Sequence, residues 1–210
     1  YLKSRGISRL DGLILTHGDT DHIGGAKAII ENMEIKRLMI GATINKSNLE
    51  KETIYSAMDK GIEIALLHAG LAWKDGGTSF LILTPQKNME ADNNASISLF
   101  AKLGGYRFLF TGDLEEEGER NLLQQYPDLT CDVLKVGHHG SRSSTTPYFL
   151  RTIKPKFAVI SVGKNNRFHH PHQEVLDLLR QNKVQIYRTD ERGAISYRYF
   201  LHKGFFSTVK

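Results

Sequence analysis

An apolar run, Leu13-Ile14-Leu15, is followed closely by four side chains able to bind a metal: His17, Asp19, Asp21 and His22. Gly24 and Gly25 stand behind them. Apolar residues then recur at helical spacing at Ile23, Ala26, Ala28, Ile29 and Ile30. The order predicts a buried strand, a loop at its C-terminal end and a helix packed back on the sheet. Open α/β sheets place their sites at the C-terminal ends of strands. A polar turn is the plain alternative, but turns rarely carry Asp and His at alternate positions with glycines behind them.

The remaining chain alternates strand and helix signals. Tyr1 to Arg9 reads as a helix end stopped by Gly6, and Asp11 to Thr16 as the first strand. Ala26 to Met33 is a helix, Arg37 to Ile40 a strand, and Asn48 to Lys60 a surface helix closed by Gly61. Ile62 to Leu67 and Ser79 to Leu83 read as strands joined by the turn Lys74 to Gly77. Ile97 to Leu103 and Tyr106 to Phe110 flank Gly104-Gly105, a strong hairpin signal. Then follow a helix (Glu115 to Tyr126), a strand (Asp132 to Val136), a short helix (Tyr148 to Ile153), a strand (Phe157 to Ser161) and a helix (Glu174 to Gln181). Val184 to Arg188 and Gly193 to Phe200 close the chain. No linker, repeat or low-complexity segment interrupts it, so residues 1–210 are expected to form one domain of mixed α/β or α+β layers.

The 210 residues suffice for one well-cored domain, and a net charge of +5 with pI near 9.2 leaves room for an acidic partner such as nucleic acid. No apolar run approaches ~20 residues, so no membrane-spanning helix is expected. The chain opens at Tyr1 with no signal peptide, which reads as a piece of a longer protein. The lone Cys131, beside the run from Val133 to Val136, reads as a small core residue. His68 is expected to be a strand-end residue without a role. Trp73 either flanks a site or is partly buried beside its Gly-rich turn.

Further candidates also follow strands: Asp113 in Thr111-Gly112-Asp113, and the pair His138-His139. A turn-forming Asp and a solvated His loop are the ordinary readings of these. A His-rich loop, His169-His170-Pro171-His172, comes after Asn165-Asn166. Here His169 or His170 contacts a phosphate or protonates a leaving group, or else the loop is solvated and merely starts a helix. Ser141, Ser143 and Ser144 around Arg142 offer a further phosphate contact.

The segment His17-x-Asp19-x-Asp21-His22-x-Gly24-Gly25 resembles the HxHxDH signature of the metallo-β-lactamase superfamily, with Asp19 in place of the second His. The Asp-bearing form, with Thr-Gly-Asp and Gly-His-His-Gly-Ser further on, resembles the C-terminal hydrolase domain of ComEC-type DNA-internalisation competence proteins. It is also similar to bacterial choline-phosphate esterases. The resemblance implies an αββα sandwich, here lacking its N-terminal strands. It implies two divalent ions: His17 and Asp19 on the first, Asp21 and His22 on the second, and Asp113 bridging. His139 completes the second set, with His138 its neighbour. Where many members carry another His, this chain has Asp92-Asn93-Asn94. With two imidazoles replaced by oxygens, Mn²⁺ or Mg²⁺ gain on Zn²⁺.

The expected activity is metal-dependent phosphodiester hydrolysis on DNA, with Asp21, Asp113 and His170 as catalytic residues and DNA as partner. The whole protein is expected in a bacterial cell membrane, with this domain on the extracytoplasmic side. Hydrolysis of a small phosphodiester or lactone is the alternative enzyme reading. A nucleic-acid-binding module with a degraded metal site is the alternative of another class.

Overall fold

A computed structural model describes residues 2–200 and 203–209, so the part of the N-terminal reading that falls on Tyr1 lies outside the described residues. The chain forms two compact units, Tyr1–Ala69 with Thr84–Ile97, and Gly70–Leu83 with Ser98–Lys210.

In the first unit, β1 (Arg9–Leu10) and β2 (Leu13–Leu15) lead into α1 (Thr20–Ile23) and α2 (Ala26–Asn32). Then come β3 (Glu34–Ile35), β4 (Arg37–Gly41), α3 (Asn48–Asp59) and β5 (Glu63–Leu67). The strands β2, β4 and β5 make a parallel sheet, with Leu13 opposite Leu38 and Leu38 opposite Ile64. Leu13, Leu15, Leu38, Ile40 and Ile64, alternate residues of these strands, turn one face of the sheet to the helices. Leu15, Ile23, Ile30, Leu38, Ile40 and Ala57 form the core between sheet and helices. Ser47 caps α3 by accepting the Glu50 N–H at 3.1 Å. Gly6, at φ +74°, ends the single 3₁₀ turn before β1, as its place in the sequence predicts.

In the second unit, β6 (Ala72–Asp75), β7 (Thr78–Thr84), β8 (Ser98–Leu103) and β9 (Tyr106–Phe110) come first. Next are α4 (Glu116–Gln125), β10 (Val133–Lys135), α5 (Pro147–Ile153), β11 (Phe157–Ile160), α6 (Gln173–Gln181), β12 (Gln185–Arg188) and α7 (Thr189–Arg192). A hairpin of β13 (Ala194–Phe200) and β14 (Lys203–Val209) ends it. One seven-stranded sheet runs in the order β12-β11-β10-β9-β8-β7-β6. It is parallel from β12 to β9 and antiparallel at the β8–β9 and β6–β7 hairpins. Leu109, Leu134 and Ile160 pack in the main core with Leu122, Phe149 and Leu179 from the helices. Alternate residues on the same strands, Phe108, Val133 and Val159, pack with Tyr197 and Phe206 of the hairpin instead. That is the period-2 consequence of the pleat.

The structure adds β1, β3, β6 and β14 to the strands expected from sequence, β6 taking in Lys74 and Asp75 of the expected turn. It also places Trp73 on β6, stacked on Phe80 with ring centroids 5.0 Å apart. Cys131 is 1% exposed, and burial pushes its thiol up to about 12. It is a core residue, as read. No helix among the described residues is long and apolar enough to cross a membrane.

Candidate metal centre

Each unit carries, near strand C-termini, a cluster of side chains able to bind a metal. In the first unit the backbone leaves β2 at Thr16, whose Oγ1 lies 3.2 Å from Nδ1 of His17 and 3.2 Å from Nδ1 of His22. A hydroxyl oxygen can accept an N–H from each ring, the state that leaves both Nε2 atoms with lone pairs. The two rings are stacked at an angle, centroids 4.1 Å apart. His17 Nε2 is 3.7 Å from Asp19 Oδ2, and His22 Nε2 is 4.0 Å from Asp21 Oδ2. Asp19 occupies the cap position of α1 without capping it with its side chain.

A floor supports this loop. Ser47 Oγ donates to the Gly18 carbonyl at 3.1 Å. Lys46 Nζ donates at 2.8 Å each to the Gly41 carbonyl, Thr43 Oγ1 and Glu50 Oε1. A Cβ on Gly18 would lie 2.8 Å from Ser47 Oγ and 3.1 Å from Glu50 Oε2, so position 18 has no room for a side chain. A small cavity of about 50 Å³ opens beside His17 and Asp19, with Asp92 on its wall. Asp92 Oδ1 accepts the Ala95 N–H at 2.9 Å, and Ile97 N donates to the Thr16 carbonyl at 2.8 Å. The Asp92-Asn93-Asn94 segment therefore sits against the His17 loop within this unit.

In the second unit, β9 ends in Thr111-Gly112-Asp113, with Gly112 at φ +58° turning the chain. Asp113 is 4% exposed at its side chain, and its Oδ2 lies 3.7 Å from His138 Nε2 and 3.8 Å from His139 Nε2. Both histidines hold left-handed backbone, φ +46° and +53°, which costs energy in non-glycine residues and clusters at functional sites. Each ring is anchored through Nδ1. His139 Nδ1 bonds the Ser161 carbonyl at 2.7 Å, and His138 Nδ1 lies 3.2 Å from Ser143 Oγ and 3.3 Å from Glu115 Oε1. A carbonyl can only accept, so His139 carries its proton on Nδ1 and presents a lone pair at Nε2, the usual second-sphere arrangement of metal-bound histidine.

His170 joins this cluster, centroid 5.7 Å from His138, 6.5 Å from His139 and 4.8 Å from His172. Asn166 clamps its backbone, accepting the His170 N–H at 2.9 Å and donating to its carbonyl at 2.6 Å. Burial first, then the neighbouring imidazoles of His172, His138 and His139, lower the His170 pKa to about 4. His169 is exposed, at φ +57°. The serines have internal partners: Ser144 Oγ donates to the Leu114 carbonyl at 2.8 Å, and Ser143 Oγ to Glu115 at 3.0 Å. His68 Nδ1 bonds the next residue's carbonyl at 2.9 Å.

These donor sets fit divalent ions. Nitrogen–oxygen separations of 3.7–4.0 Å are too long for hydrogen bonds. They match two ligands that each stand ~2.0–2.2 Å from one shared ion. The first unit sets His17 beside Asp19 and His22 beside Asp21, and the second sets Asp113 beside His138 and His139, with the His170 ring next to the pair. Reading the sequence did not reveal Thr16 and Glu115 as ring anchors. Their only signals are adjacency to His17 and to Asp113.

The family model for the metallo-beta-lactamase superfamily matches residues 1–164, and the chain belongs to that superfamily. It is similar to ComE operon protein 3 of Bacillus subtilis (strain 168), 41% identical over 208 residues, covering 99% of this chain and 27% of that protein. It is also similar to Competence protein ComA of Neisseria gonorrhoeae, 34% identical over 199 residues, covering 93% of this chain and 26% of that one. The chain thus spans about a quarter of the length of the curated relatives it matches. Among solved structures, CmlA, a diiron beta-hydroxylase from Streptomyces venezuelae, superposes with a TM-score of 0.60 at 11% identity, covering 96% of this chain and 45% of that one. At that identity the likeness speaks for the fold alone.

Proposed function

We propose that this chain is a metal-dependent phosphodiesterase acting on DNA, both units working as one domain of a longer protein of competence-related DNA uptake. That protein lies in the cell membrane with this domain on its extracytoplasmic side. The observation that carries the hydrolase reading is the buried Asp113 carboxylate facing Nε2 of two histidines whose other nitrogens are tied to fixed acceptors. The similarity to competence proteins supports DNA as the substrate, and the +5 charge is compatible with it.

In this reading His17, Asp19, Asp21 and His22 would supply the ligands of the first unit, and Asp113 and His139 those of the second. Mn²⁺ or Zn²⁺ suits the mixed imidazole and carboxylate set, with Mg²⁺ a third candidate because Asp19 and Asp92 offer oxygen. Divalent ions bound here supply water ionised near neutral pH and neutralise phosphate charge. The protein's own residues do the rest. Asp113 presents its carboxyl group in a buried site, where electrostatic interactions are strong. Ser161 and Glu115 fix the tautomers of His139 and His138. His170, clamped by Asn166, meets the phosphate or the leaving oxygen.

The test is a cleavage screen on single- and double-stranded DNA with Mn²⁺, Mg²⁺ and Zn²⁺ added separately. Parent protein should cleave with at least one ion, and Asp113→Ala should fall to background while melting as the parent does. Equal cleavage by Asp113→Ala would overturn the reading.

A further inference from the structure

The second unit carries a groove of about 790 Å³ outside the histidine cluster, walled by α4, the loop from Arg142 to Thr146, α5 and α6. The volume falls within the ~300–1,000 Å³ typical of ligand sites. Three guanidinium groups line it: Arg120 on α4, Arg142 on the loop and Arg151 on α5. Tyr148 on α5 presents its ring beside them, 61% exposed.

The carboxylates along the groove are engaged. Glu116 pairs with Arg120 at 3.1 Å, Glu174 with Arg142 at 3.8 Å, and Asp177 with Arg180 at 2.9 Å. Glu119 is buried and accepts the backbone N–H groups of Thr145 and Thr146. The Arg120 and Arg142 pairs are exposed and therefore weak, so a phosphate entering the groove competes with Glu116 and Glu174 for these guanidinium groups. Arg151 is exposed and makes no ion pair among the described residues. The loop is built rather than loose. Thr145, at φ +57°, is held by Glu119, and its buried Oγ1 has no hydrogen-bond partner among the described residues.

One end of the groove meets the candidate site. The Arg142 N–H donates to His172 Nδ1 at 3.0 Å, and the His172 ring stands 4.8 Å from His170. A polymer seated along the groove would therefore pass directly from Arg142 to the imidazole cluster.

We propose that this groove binds a single-stranded nucleic-acid segment, Tyr148 stacking on a base and Arg142 and Arg151 pairing with phosphates. An exposed aromatic beside guanidinium groups is the common device of single-strand binding, and a duplex has no open base face to offer it. The polymer's identity rests on the phosphodiesterase reading above.

The experiment measures fluorescence anisotropy of a labelled oligothymidylate 12-mer with the full chain in EDTA, across salt. In parallel it measures metal-dependent hydrolysis of bis(p-nitrophenyl) phosphate, which is too small to need the groove. Tyr148→Ala should weaken the oligonucleotide on the order of tenfold, while Tyr148→Phe, which keeps the ring, should bind as the parent does. Arg151→Ala should lower the salt slope by about 0.7, the loss of one phosphate contact on a single strand. Hydrolysis of the small diester should be unchanged in all three. Unchanged oligonucleotide binding in Tyr148→Ala and Arg151→Ala overturns the groove, as does a parent that binds no oligonucleotide, even if the small diester is cleaved. Binding lost in the variants of a protein that cleaves no diester supports the groove and removes the hydrolase reading instead.

Discussion

The two clusters offer the same chemistry, imidazole nitrogen beside carboxylate oxygen, and build it in opposite ways. In the first unit four side chains come from one short loop, both rings lean on a single hydroxyl, and the carboxylates are largely in solvent, Asp19 63% and Asp21 56% exposed. In the second Asp113 and the His138-His139 pair come from the ends of two neighbouring strands, β9 and β10, and His170 from the loop after β11. The carboxylate is buried, and each ring has its own acceptor. A loop whose candidate ligands all lie within six residues can be encoded compactly but cannot hold its own shape, so it depends on what lies beneath it. Strand ends are held by a sheet and need only local anchors. The difference predicts where each cluster will fail.

The largest effect should come from the floor of the loop. Glu50 is buried, pairs with the half-buried Lys46, and closes the space under Gly18. Glu50→Ala leaves Lys46 with two neutral acceptors and no counter-charge in a confined site. The expected loss is on the order of 3 kcal/mol, read from urea denaturation. Glu50→Gln, which keeps a hydrogen-bond acceptor, should lose less. A cost under about 1 kcal/mol for Glu50→Ala would show that the loop stands without this support.

Next in size is the effect on ion affinity of the ring anchors. Thr16→Val removes the one hydroxyl that serves both His17 and His22, so Mn²⁺ affinity should fall toward the upper end of the ~10–100-fold range for such second-sphere losses. Glu115→Gln removes charge from one side of His138 while Ser143 Oγ stays 3.2 Å away, so its loss should lie at the lower end. Calorimetric titration of both variants decides the order. Equal losses would mean that shared and separate anchoring are equivalent.

These anchors mark the boundary of what the sequence makes legible. The loop from His17 to His22 can be read because all its chemistry is local, and the strand-end positions of Asp113 and His139 follow from apolar runs and glycines. Thr16 reaches His22 only through the turn of α1, and Ser161 reaches His139 only because β10 and β11 are neighbours. Neither proximity is written in residue spacing. The same holds for the fold. The buried strands declare themselves, whereas β6 has a single inward residue, Trp73, on an otherwise exposed edge and so shows no alternation. The hairpin partner β14 begins with Lys203-Gly204, a poor strand signal. Its glycine is required because a Cβ there would collide with the Tyr197 hydroxyl on the facing strand.

The smallest expected effect sharpens the comparison from the strand side. Asp132, just before β10, accepts at 3.0 Å from both the Arg107 backbone N–H and its Nε, and Lys156 Nζ lies 3.1 Å from its other oxygen. Arg107 is on β9, so this group ties together the two strands whose ends carry Asp113 and the histidines. Burial alone would raise the Asp132 pKa, but the Arg107 and Lys156 hydrogen bonds outweigh it and hold the carboxyl at about 2. A folded pKa below the unfolded one means that the ionised form stabilises the fold. The contribution is complete above the unfolded value near ~3.9 and disappears as pH falls toward 2. Because Arg107 and Lys156 are partly or mostly in solvent, screening reduces the gain to about 1–2 kcal/mol. Asp132→Asn should therefore destabilise the protein by that amount at pH 7, and the gap to the parent should narrow below pH 4. Denaturation at both pH values measures it. A loss at pH 7 as large as that of Glu50→Ala would mean that the strand ends lean on a single charged support as heavily as the loop does, and the contrast between the two clusters would fall.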